Sequence, residues 1–377
     1  MSKPLKVTIV FSDMTKAPAY EWFVDEVDRT NIAFTFVFLN AQTSDTAEYI
    51  RAKGLPVHYI SYRGKKDLPL ATLRLIGLFL RTRPDIVHTH LFGASLAGLT
   101  AAWITRIKNR IHTRHHSSFH HDYHPHAVKY DRYINRLSTH IVATDKLVHD
   151  ILVNQEAVPE KKISIIYLGF KLDYFRHVEA SRIQFIRERY GIPDNGIVYG
   201  MVSRLMTLKG VDYALRALER LLNEEPTSVA VIANAKGSQR QEVENMIARM
   251  DCGARIILIE FETEMNALYK AMHYFIHVPI NHRIEAFGQV YIEAMAAGIP
   301  CVVTISGIAN EVIKHEHNAL VVDYCNSDEI YFSLKKLQQD TQLKDKIVQN
   351  AVVDSSHFEF SPTVAQLENL YLAGITS

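Results

Sequence analysis

The sequence is poor in cysteine and has no long apolar run. Its 377 residues include three cysteines, Cys252, Cys301 and Cys325, whose spacing fits no metal site and which cannot all pair. This usage favours a reducing compartment, so we expect a cytoplasmic protein. No apolar stretch approaches the length of a membrane span, and the first residues lead directly into a strand-like segment. We therefore expect neither a transmembrane helix nor a signal peptide.

Net charge is also nearly absent, at +1, but the charges are unevenly distributed. Residues 1–180 hold 24 Lys and Arg against 17 Asp and Glu, a balance of +7, and the remainder holds 18 against 24, a balance of −6. The basic half could attract an acidic acceptor or the anionic inner face of a membrane, where the protein would be peripheral. A merely solvated surface explains the asymmetry equally well. We expect no nucleic-acid partner.

Strand-like and helix-like segments alternate along the chain, which predicts an α/β protein with parallel sheets. A chain of 377 residues exceeds what one hydrophobic core usually serves, so we expect two domains. Leu68–Arg83 is predicted to be an amphipathic helix whose apolar stripe is more typical of a core face than of a membrane anchor. Near the end, Ser361 is predicted to cap a last helix with Pro362 in its first turn.

The segment from Glu285 to Glu311 combines a loop, a helix and a strand. Helix formers fill Gln289 to Ala297 after Gly288, so the backbone N–H groups of Gly288, Gln289 and Val290 can seat a phosphate at the helix N-terminus. Two carboxylates, Glu285 and Glu293, bracket that seat. Because carboxylates repel phosphate, they are expected to bind something else, such as sugar hydroxyls. A nucleotide sugar carries both groups.

A second phosphate signal follows the strand predicted at Gly196 to Val202. Arg204 stands at the end of this strand, and Lys209 precedes a helix predicted to start near Val211. A planar guanidinium fork and a point charge beside a helix N-terminus suit a diphosphate. Two solvated cations are the plainer alternative.

Histidine is concentrated in one short stretch between residues 112 and 126. Seven occur there: His112, His115, His116, His120, His121, His124 and His126. Imidazole is a common metal ligand, but no cysteine lies nearby and no spacing sets two ligands on one helix face. We therefore favour a loop that faces polar, hydroxyl-rich substrates and expect no metal site.

The motifs EAFGxxxxEAMAxGxP and RxxxxKG carry a resemblance to a known family. The chain resembles the retaining glycosyltransferases of family 4, which have the GT-B fold. This implies two Rossmann-like domains facing across a cleft: an acceptor-side domain at 1–175 and a nucleotide-sugar-binding domain at 176–356. It also implies a C-terminal helix at 357–377 that crosses back to the N-terminal domain.

The same resemblance implies an activity and roles for the candidate residues. The protein would move a sugar from a nucleotide-diphosphate sugar to a hydroxyl of a glycan, lipid-linked or small-molecule acceptor, in glycan, polysaccharide or glycolipid synthesis. Glu285 and His115, with His116 as the alternative histidine, would be catalytic, and a satisfied core histidine is the other interpretation of His115. Arg204 and Lys209 would bind the diphosphate, and Glu293 the ribose. No cofactor or metal is implied.

The sequence departs from the family pattern in its first loop. Ser12 to Lys16 contains no glycine where the family commonly has a glycine-rich loop, so close backbone approach to a phosphate there is not expected. Two rival functions stay open: a nucleotide-sugar epimerase, which needs no acceptor, and a non-catalytic sugar-nucleotide-binding subunit. Acceptor-dependent release of nucleoside diphosphate separates all three.

Overall fold

The structure is a computed structural model that describes residues 3–373, and the chain divides into two compact units. The first comprises Met1–Gly169 with Phe360–Ser377, and the second Phe170–Glu359. The sequence prediction set the boundaries after residues 175 and 356, whereas the two units divide after Gly169 and Glu359. Residues 1–2 and 374–377 lie outside the described residues. The first two begin the segment for which we expect no signal peptide, and the last four end the predicted C-terminal helix.

The first unit is built on a parallel sheet of seven strands in the order β3-β2-β1-β4-β5-β6-β7. The strands are β1 (Leu5–Ser12), β2 (Ile32–Asn40), β3 (Val57–Ser61), β4 (Ile86–His90), β5 (Asn109–Arg114), β6 (His140–Ala143) and β7 (Ile163–Ile165). The order reverses between β1 and β4. In such sheets ligands bind outside the carboxyl ends of the strands at this reversal.

Helices connect these strands. They are α1 (Pro18–Glu26), α2 (Asp45–Ala52), α3 (Leu68–Thr82), α4 (Phe92–Ile104), α5 (Phe119–Tyr123), α6 (Val128–Leu137) and α7 (Lys146–Asn154), with 3₁₀ turns at Lys65–Asp67, Pro125–Ala127 and Glu160–Lys162. As predicted, one stripe of α3 lies in the core, through Ala71, Leu75, Leu78 and Phe79. Within residues 3–373, no helix combines the length and apolarity needed to cross a membrane.

Apolar residues line both faces of β1, which explains its nearly unbroken hydrophobic run. Val7, Ile9 and Phe11 pack into a cluster on one face, and Val10 packs on the other. Strands buried on both faces are typical of parallel sheets, because helices cover both sides. This arrangement is consistent with the predicted α/β fold.

The last helix, numbered α17 (Phe360–Ala373), packs on the first unit, as the resemblance implies. The Phe360 ring lies 5.7 Å from the Trp22 ring, and the hydroxyl of Tyr371 is 2.7 Å from Nδ1 of His88. The prediction of Ser361 as N-cap is wrong, because the helix already begins at Phe360. The hydroxyl of Ser361 instead donates a hydrogen bond to the carboxylate of Glu26 at 2.8 Å.

The second unit is built on a parallel sheet of six strands in the order β10-β9-β8-β11-β12-β13. The strands are β8 (Val198–Val202), β9 (Val229–Ala233), β10 (Ile256–Ile259), β11 (Tyr274–His277), β12 (Cys301–Val303) and β13 (Leu320–Val321). This order reverses between β8 and β11. The predicted Arg204 and Lys209 follow β8, and Glu285 follows β11, so both segments leave the sheet at its reversal point.

Within the part of the chain that the structure describes, nine helices flank this second sheet. They are α8 (Leu172–Arg176), α9 (Ala180–Tyr190), α10 (Val211–Glu224), α11 (Arg240–Ile247), α12 (Met265–Ala271), α13 (Gln289–Ala297), α14 (Ala309–Val312), α15 (Ser327–Gln339) and α16 (Thr341–Ser355), with 3₁₀ turns at Thr207–Lys209, Gly253–Arg255 and Ser356–Phe358. Helix α13 has the predicted bounds. Its two flanking glycines, Gly288 and Gly298, both adopt left-handed backbone conformations, with φ of +86° and +72°.

Candidate functional site

The loop after β8 is held against the end of β11. Gly210 has φ of +66°, and a Cβ added there would lie 2.0 Å from the carbonyl oxygen of Val278. The N–H of Ile280 also donates to the carbonyl of Leu208 at 3.1 Å. Only a glycine permits this approach. The contact carries the side chain of Lys209 to the segment that follows β11.

The loop that carries Glu285 is tied to the loop after β12. The N–H of Glu285 donates to the Ser306 hydroxyl at 3.0 Å, and the N–H of Ile308 donates to the carbonyl of Phe287 at 2.8 Å. A Cβ on Gly307 would lie 2.7 Å from Cβ of Glu285. Three strand ends therefore fix the position of one carboxylate.

The carboxylate of Glu285 is paired with two nitrogen groups. Its Oε1 accepts a hydrogen bond from Nζ of Lys209 and lies 3.0 Å from Nε2 of His277. Burial by itself would raise the pKa of Glu285, but the charge of Lys209 and the hydrogen bond from His277 outweigh it and hold the pKa well below its usual range. At neutral pH the group is a carboxylate and a weak base.

His277 completes this cluster and has one nitrogen to spare. Burial, together with the charge of Lys209, lowers the pKa of His277, against the opposing effect of Glu285. The neutral ring donates from Nε2 to the carboxylate, because a carboxylate only accepts. Nδ1 of His277 is buried and has no hydrogen-bond partner within residues 3–373. The cluster thus retains one unused acceptor.

Arg204 differs from Lys209 in its surroundings. Its side chain is exposed, and no carboxylate or carbonyl of the described chain pairs with its guanidinium. The side chain of Lys209, by contrast, is only 14% exposed and already engaged with Glu285. The structure therefore joins Lys209 to Glu285 and leaves the Arg204 fork open to an added anion.

The N-terminus of α13 lies directly after the Glu285 loop. Gly288 precedes the helix, and Gln289 and Val290 are its first two residues, whose N–H groups have no acceptor within the helix. Both residues are at least partly exposed. These N–H groups and the positive end of the helix dipole are suited to an anion.

A side chain introduced at Gly288 would have less room than one introduced at Gly298. An alanine Cβ at Gly288 would lie 2.8 Å from the ring of Tyr291 and 3.3 Å from Cγ of Glu285, whereas at Gly298 its nearest neighbours are at 3.7 Å and 3.8 Å. Both substitutions carry the left-handed backbone cost. Gly288→Ala should therefore destabilise the protein by about 1–2 kcal/mol more than Gly298→Ala, as measured by chemical denaturation. Equal losses would contradict the contact with Glu285.

Glu293 lies one turn into α13 and is half-buried. It accepts a hydrogen bond from the Tyr269 hydroxyl at 2.8 Å. Burial raises the pKa of Glu293 to about 7, and the Tyr269 hydrogen bond opposes this only in part. The group is thus divided between its acid and carboxylate forms near neutral pH, unlike Glu285.

His115 belongs to the first unit, whereas Lys209, His277 and Glu285 belong to the second. Its Nε2 lies 3.1 Å from Nδ1 of His90, which is also 2.9 Å from the Tyr20 hydroxyl. Burial, followed by the charge of His116, lowers the pKa of His115 to about 4. The ring is neutral at pH 7. His90 is the last residue of β4, which borders the reversal point of the first sheet, and His115 directly follows the neighbouring β5.

The sequence suggested that the histidine-rich stretch forms one loop, but the structure divides it among several elements. His112 lies on β5, His120 and His121 on α5, and His126 in a 3₁₀ turn. Asp131 gathers two of the histidines: its oxygens lie 3.1 Å from Nε2 of His116 and 2.7 Å from Nδ1 of His120.

Among the described residues, these three side chains form a set that could hold a cation, since their ligand atoms lie within 4.8 Å of one another. The guanidinium of Arg114 is 3.4 Å from the same Asp131 carboxylate and would oppose a second positive charge. The histidines therefore already have an internal anionic partner.

Two site residues escaped the sequence analysis. His277 is the last residue of β11, and Tyr269 lies on α12. A polar residue at the carboxyl end of a parallel strand was a usable signal for His277. Nothing local distinguished Tyr269, because its hydroxyl partner lies 24 residues away.

Two family models match this chain, one in each half. A model described as Glycosyltransferase Family 4 matches residues 24–174, and one described as Glycosyl transferases group 1 matches residues 182–353. The second match contains the whole cluster around Glu285. Each half of the chain is therefore similar to a glycosyltransferase domain.

Curated relatives agree with these matches. An uncharacterised glycosyltransferase of Methanocaldococcus jannaschii is 30% identical over 222 residues, which cover 58% of this chain and 55% of that protein, about half its length. The Escherichia coli UDP-Gal:alpha-D-GlcNAc-diphosphoundecaprenol alpha-1,3-galactosyltransferase is 23% identical over 316 residues, covering 81% of this chain and 80% of the relative.

Solved structures share the fold. The Anabaena protein HepE in complex with UDP-glucose matches with a TM-score of 0.81 and 21% identity, covering 97% of this chain and 99% of that one. Together with the two Rossmann-like sheets, this likeness shows the GT-B fold.

Proposed function

We propose that this protein is a retaining glycosyltransferase of family 4 that transfers a sugar from a nucleotide-diphosphate sugar to an acceptor hydroxyl. The observation that carries the proposal is the cluster at the reversal point of the second sheet. There an ionised carboxylate is paired with a lysine, an exposed arginine follows the same strand as the lysine, and a helix begins directly after the loop that carries the carboxylate. Cations and helix N–H groups suit the diphosphate, and the carboxylate suits the sugar.

Glu285 is proposed to act through its charge. Its depressed pKa makes it a poor proton acceptor, so we assign it to sugar hydroxyls and to the positive charge that develops at the anomeric carbon. Lys209, hydrogen-bonded to Glu285, would span the carboxylate and the departing diphosphate. Nδ1 of His277, which has no partner within the described chain, can accept a hydrogen bond from a donor-sugar hydroxyl.

The remaining assignments complete the donor and acceptor contacts. Arg204 would bind the diphosphate with its guanidinium fork, the N–H groups at Gly288, Gln289 and Val290 would bind phosphate oxygens, and Glu293 the ribose. We assign contact with the sugar or the acceptor hydroxyl to His115. In the reaction, the bond from the anomeric carbon to the diphosphate breaks, and a bond to the acceptor oxygen forms on the same face. The hydroxyl proton leaves with the diphosphate.

Relatives indicate the kind of product and the nucleotide to try first. The Escherichia coli relative is named for galactose transfer onto a diphosphoundecaprenol-linked sugar, and HepE was solved with UDP-glucose. We therefore propose a role in polysaccharide or glycolipid synthesis, with uridine as the first base to test. Free thiols at Cys252, Cys301 and Cys325 fit a cytoplasmic location.

A thermal-shift screen of nucleotide sugars, starting with UDP-glucose, tests donor binding. A ligand that binds only the folded state at about 100 times its Kd stabilises it by about 2.7 kcal/mol. The stabilising donor is then incubated with and without candidate acceptors. Release of nucleoside diphosphate only with acceptor supports transfer, and retention is read from the anomeric configuration of the product. Donor conversion without acceptor indicates an epimerase, and binding without turnover a non-catalytic subunit.

Nucleotide affinity should depend on Glu293 in a pH-dependent manner. Ribose hydroxyls donate hydrogen bonds and therefore favour the carboxylate form of Glu293. Because the pKa of Glu293 is about 7, below that pH the group must lose its proton before it can accept these hydrogen bonds. We expect the Glu293-dependent part of UDP affinity to rise about tenfold from pH 6 to pH 8. The ratio of wild-type to Glu293→Gln affinity, measured by calorimetry at each pH, cancels the titration of the nucleotide itself. A constant ratio would argue against ribose contact.

The same carboxyl group predicts the opposite trend for the ligand-free protein. Its folded-state pKa of about 7 exceeds the ordinary value of 4.5, so the folded state holds this proton more tightly than the unfolded state. This contribution to stability is therefore present at low pH and is lost as pH rises toward 7. Glu293→Gln should remove this pH dependence of the free energy of unfolding, because a glutamine side chain has no such proton to lose.

Donor turnover should survive chelation. If Arg204 and Lys209 supply the counter-charge of the diphosphate, then no divalent cation is needed there. We expect acceptor-dependent release of nucleoside diphosphate to be unchanged after treatment with EDTA, with metal content followed by mass spectrometry. His120→Ala, which removes one member of the His116–His120–Asp131 group, serves as the companion variant. Stoichiometric metal whose removal abolishes turnover would reverse this assignment.

A further inference from the structure

Helix α3 has a second apolar stripe on the side opposite the core. Leu70, Leu73 and Leu80 are 51%, 64% and 59% exposed. At 100° per residue they fall within one narrow face of the helix, roughly opposite the buried stripe that contains Leu75. A helix that only covered the sheet would have polar residues on this face. This outer stripe therefore requires its own explanation.

Two more exposed apolar side chains lie at the end of α4, the helix that packs beside α3. Trp103 and Ile104, in the last turn of that helix, are 57% and 48% exposed. Leu80 lines the same surface depression as Thr105 and Arg106, which directly follow them in the chain. A large indole and four aliphatic side chains are thus exposed on two neighbouring helices of the first unit. We call these five residues the α3–α4 patch.

The depression beside the patch is basic. Lys3, Arg83, Arg106 and Lys108 all line it, and none of these side chains is paired with a carboxylate within the described chain. Asp85, the acidic residue that lines it, accepts a hydrogen bond from a backbone N–H instead. Residues 63–83, which include α3, hold six basic residues against one acidic residue. Much of the basic excess of the N-terminal half therefore lies on α3 or at its ends.

This combination identifies the chemistry of the partner. Two copies of the patch facing each other would bring like charges together, which disfavours self-association through this surface. An anionic bilayer presents phosphate groups for the cations and an apolar interior for the leucines, and Trp is enriched at the level of the headgroups. Each basic residue near an anionic leaflet strengthens binding, and the buried apolar area adds to it.

We propose that the α3–α4 patch docks the protein on an anionic lipid bilayer, with Lys3, Arg83, Arg106 and Lys108 on lipid phosphates. The protein would lie on the surface, because the side chains project from folded helices and do not span the bilayer. This inference does not depend on the donor site. It can fail while the transferase activity stands, because vesicle binding requires neither nucleotide nor turnover.

The test is co-sedimentation of the full chain with vesicles of phosphatidylcholine, either alone or mixed with phosphatidylglycerol. We expect binding to the mixed vesicles alone, weakening as salt shortens the screening length from about 10 Å at 0.1 M to about 3 Å at 1 M. Leu73→Ser with Leu80→Ser should lower vesicle affinity about tenfold or more, and Arg83→Glu with Arg106→Glu by at least as much.

Matched controls lie on the second unit. Phe332 and Val353 are 61% and 64% exposed, so the pair Phe332→Ser and Val353→Ser removes similar apolar surface elsewhere. Arg249→Glu with Lys346→Glu makes the same change in net charge. Both control pairs should bind vesicles as the wild type does. Thermal unfolding checks that every variant is folded.

Three outcomes would overturn the proposal. They are absence of binding to anionic vesicles, equal loss of binding in the patch and control variants, and binding that salt does not weaken. Sedimentation velocity separates a second possibility. If the leucine variants cause a dimer of this chain to dissociate and leave vesicle binding unchanged, the patch is an interface between copies and the lipid assignment is wrong.

Discussion

Replacing Glu285 with glutamine is expected to lower acceptor-dependent turnover by about a hundredfold or more while leaving UDP affinity near that of the wild type. The substitution keeps the size of the side chain and one acceptor oxygen, but it removes a negative charge that the structure maintains. Lys209 and His277 hold this carboxylate ionised. Its charge matters most where positive charge develops on the sugar, and this is greater in the transition state than in the bound donor.

Stability must be controlled in this experiment, because Glu285 is buried and paired with Lys209. Glutamine leaves the lysine without its counter-ion, which should cost about 1–3 kcal/mol of unfolding free energy. Glu262→Gln is the matched control, since Glu262 is a buried, hydrogen-bonded glutamate of the same unit. Turnover should be measured well below the unfolding midpoint of each variant.

Comparison with Glu293→Gln separates the two carboxylates. That variant should weaken UDP binding through the lost ribose contact and should affect the turnover of bound donor less. If Glu285→Gln loses nucleotide affinity and Glu293→Gln loses only turnover, the two roles are reversed. If neither variant loses anything, both carboxylates are structural and the assignment of this site fails.

Arg204→Ala is expected to weaken UDP binding by about a hundredfold without changing the thermal unfolding midpoint. The guanidinium is exposed and has no partner within residues 3–373, so folding does not depend on it. Two charge-assisted hydrogen bonds to a diphosphate, each worth about 1.5 kcal/mol or more, account for this loss. Arg204→Lys should recover only part of the affinity, because a lysine cannot present the planar fork.

Lys209→Ala should behave differently from Arg204→Ala. It is expected to lower both nucleotide affinity and stability, because it leaves the buried carboxylate of Glu285 without its cation. Arg249→Ala, an exposed arginine of the same unit, controls for a general loss of positive charge. UDP affinity that is unchanged in both the Arg204 and Lys209 variants would contradict the diphosphate assignment.

Local sequence determined the secondary structure around the site. Helix formers between two glycines predicted α13 with the bounds that the structure has, because a left-handed residue at each end is a property of adjacent backbone atoms. The alternation of apolar strands and helices likewise predicted two parallel sheets. The position of Arg204 and Lys209 after one strand, and of Glu285 after another, could also be read directly from the chain.

Tertiary structure alone decided how these groups pair. Lys209 and Glu285 are 76 residues apart in sequence, and only the order of β8 beside β11 brings them together. The sequence assigned them to separate ligand groups, whereas the fold makes each the partner of the other. His277 and Tyr269 entered the site in the same way, as neighbours of the two carboxylates.

The error at Ser361 and the outer stripe of α3 have the same physical origin. A serine before a proline is a strong local capping signal, yet Ser361 bonds to Glu26, 335 residues away, and the helix starts before it. On α3, the sequence shows leucines around much of the helix but not which of them the sheet will cover. The sequence thus determined the elements and the chemical groups of this protein. The packing of distant segments decided which groups are paired, buried or exposed, because those contacts depend on distances that no local pattern contains.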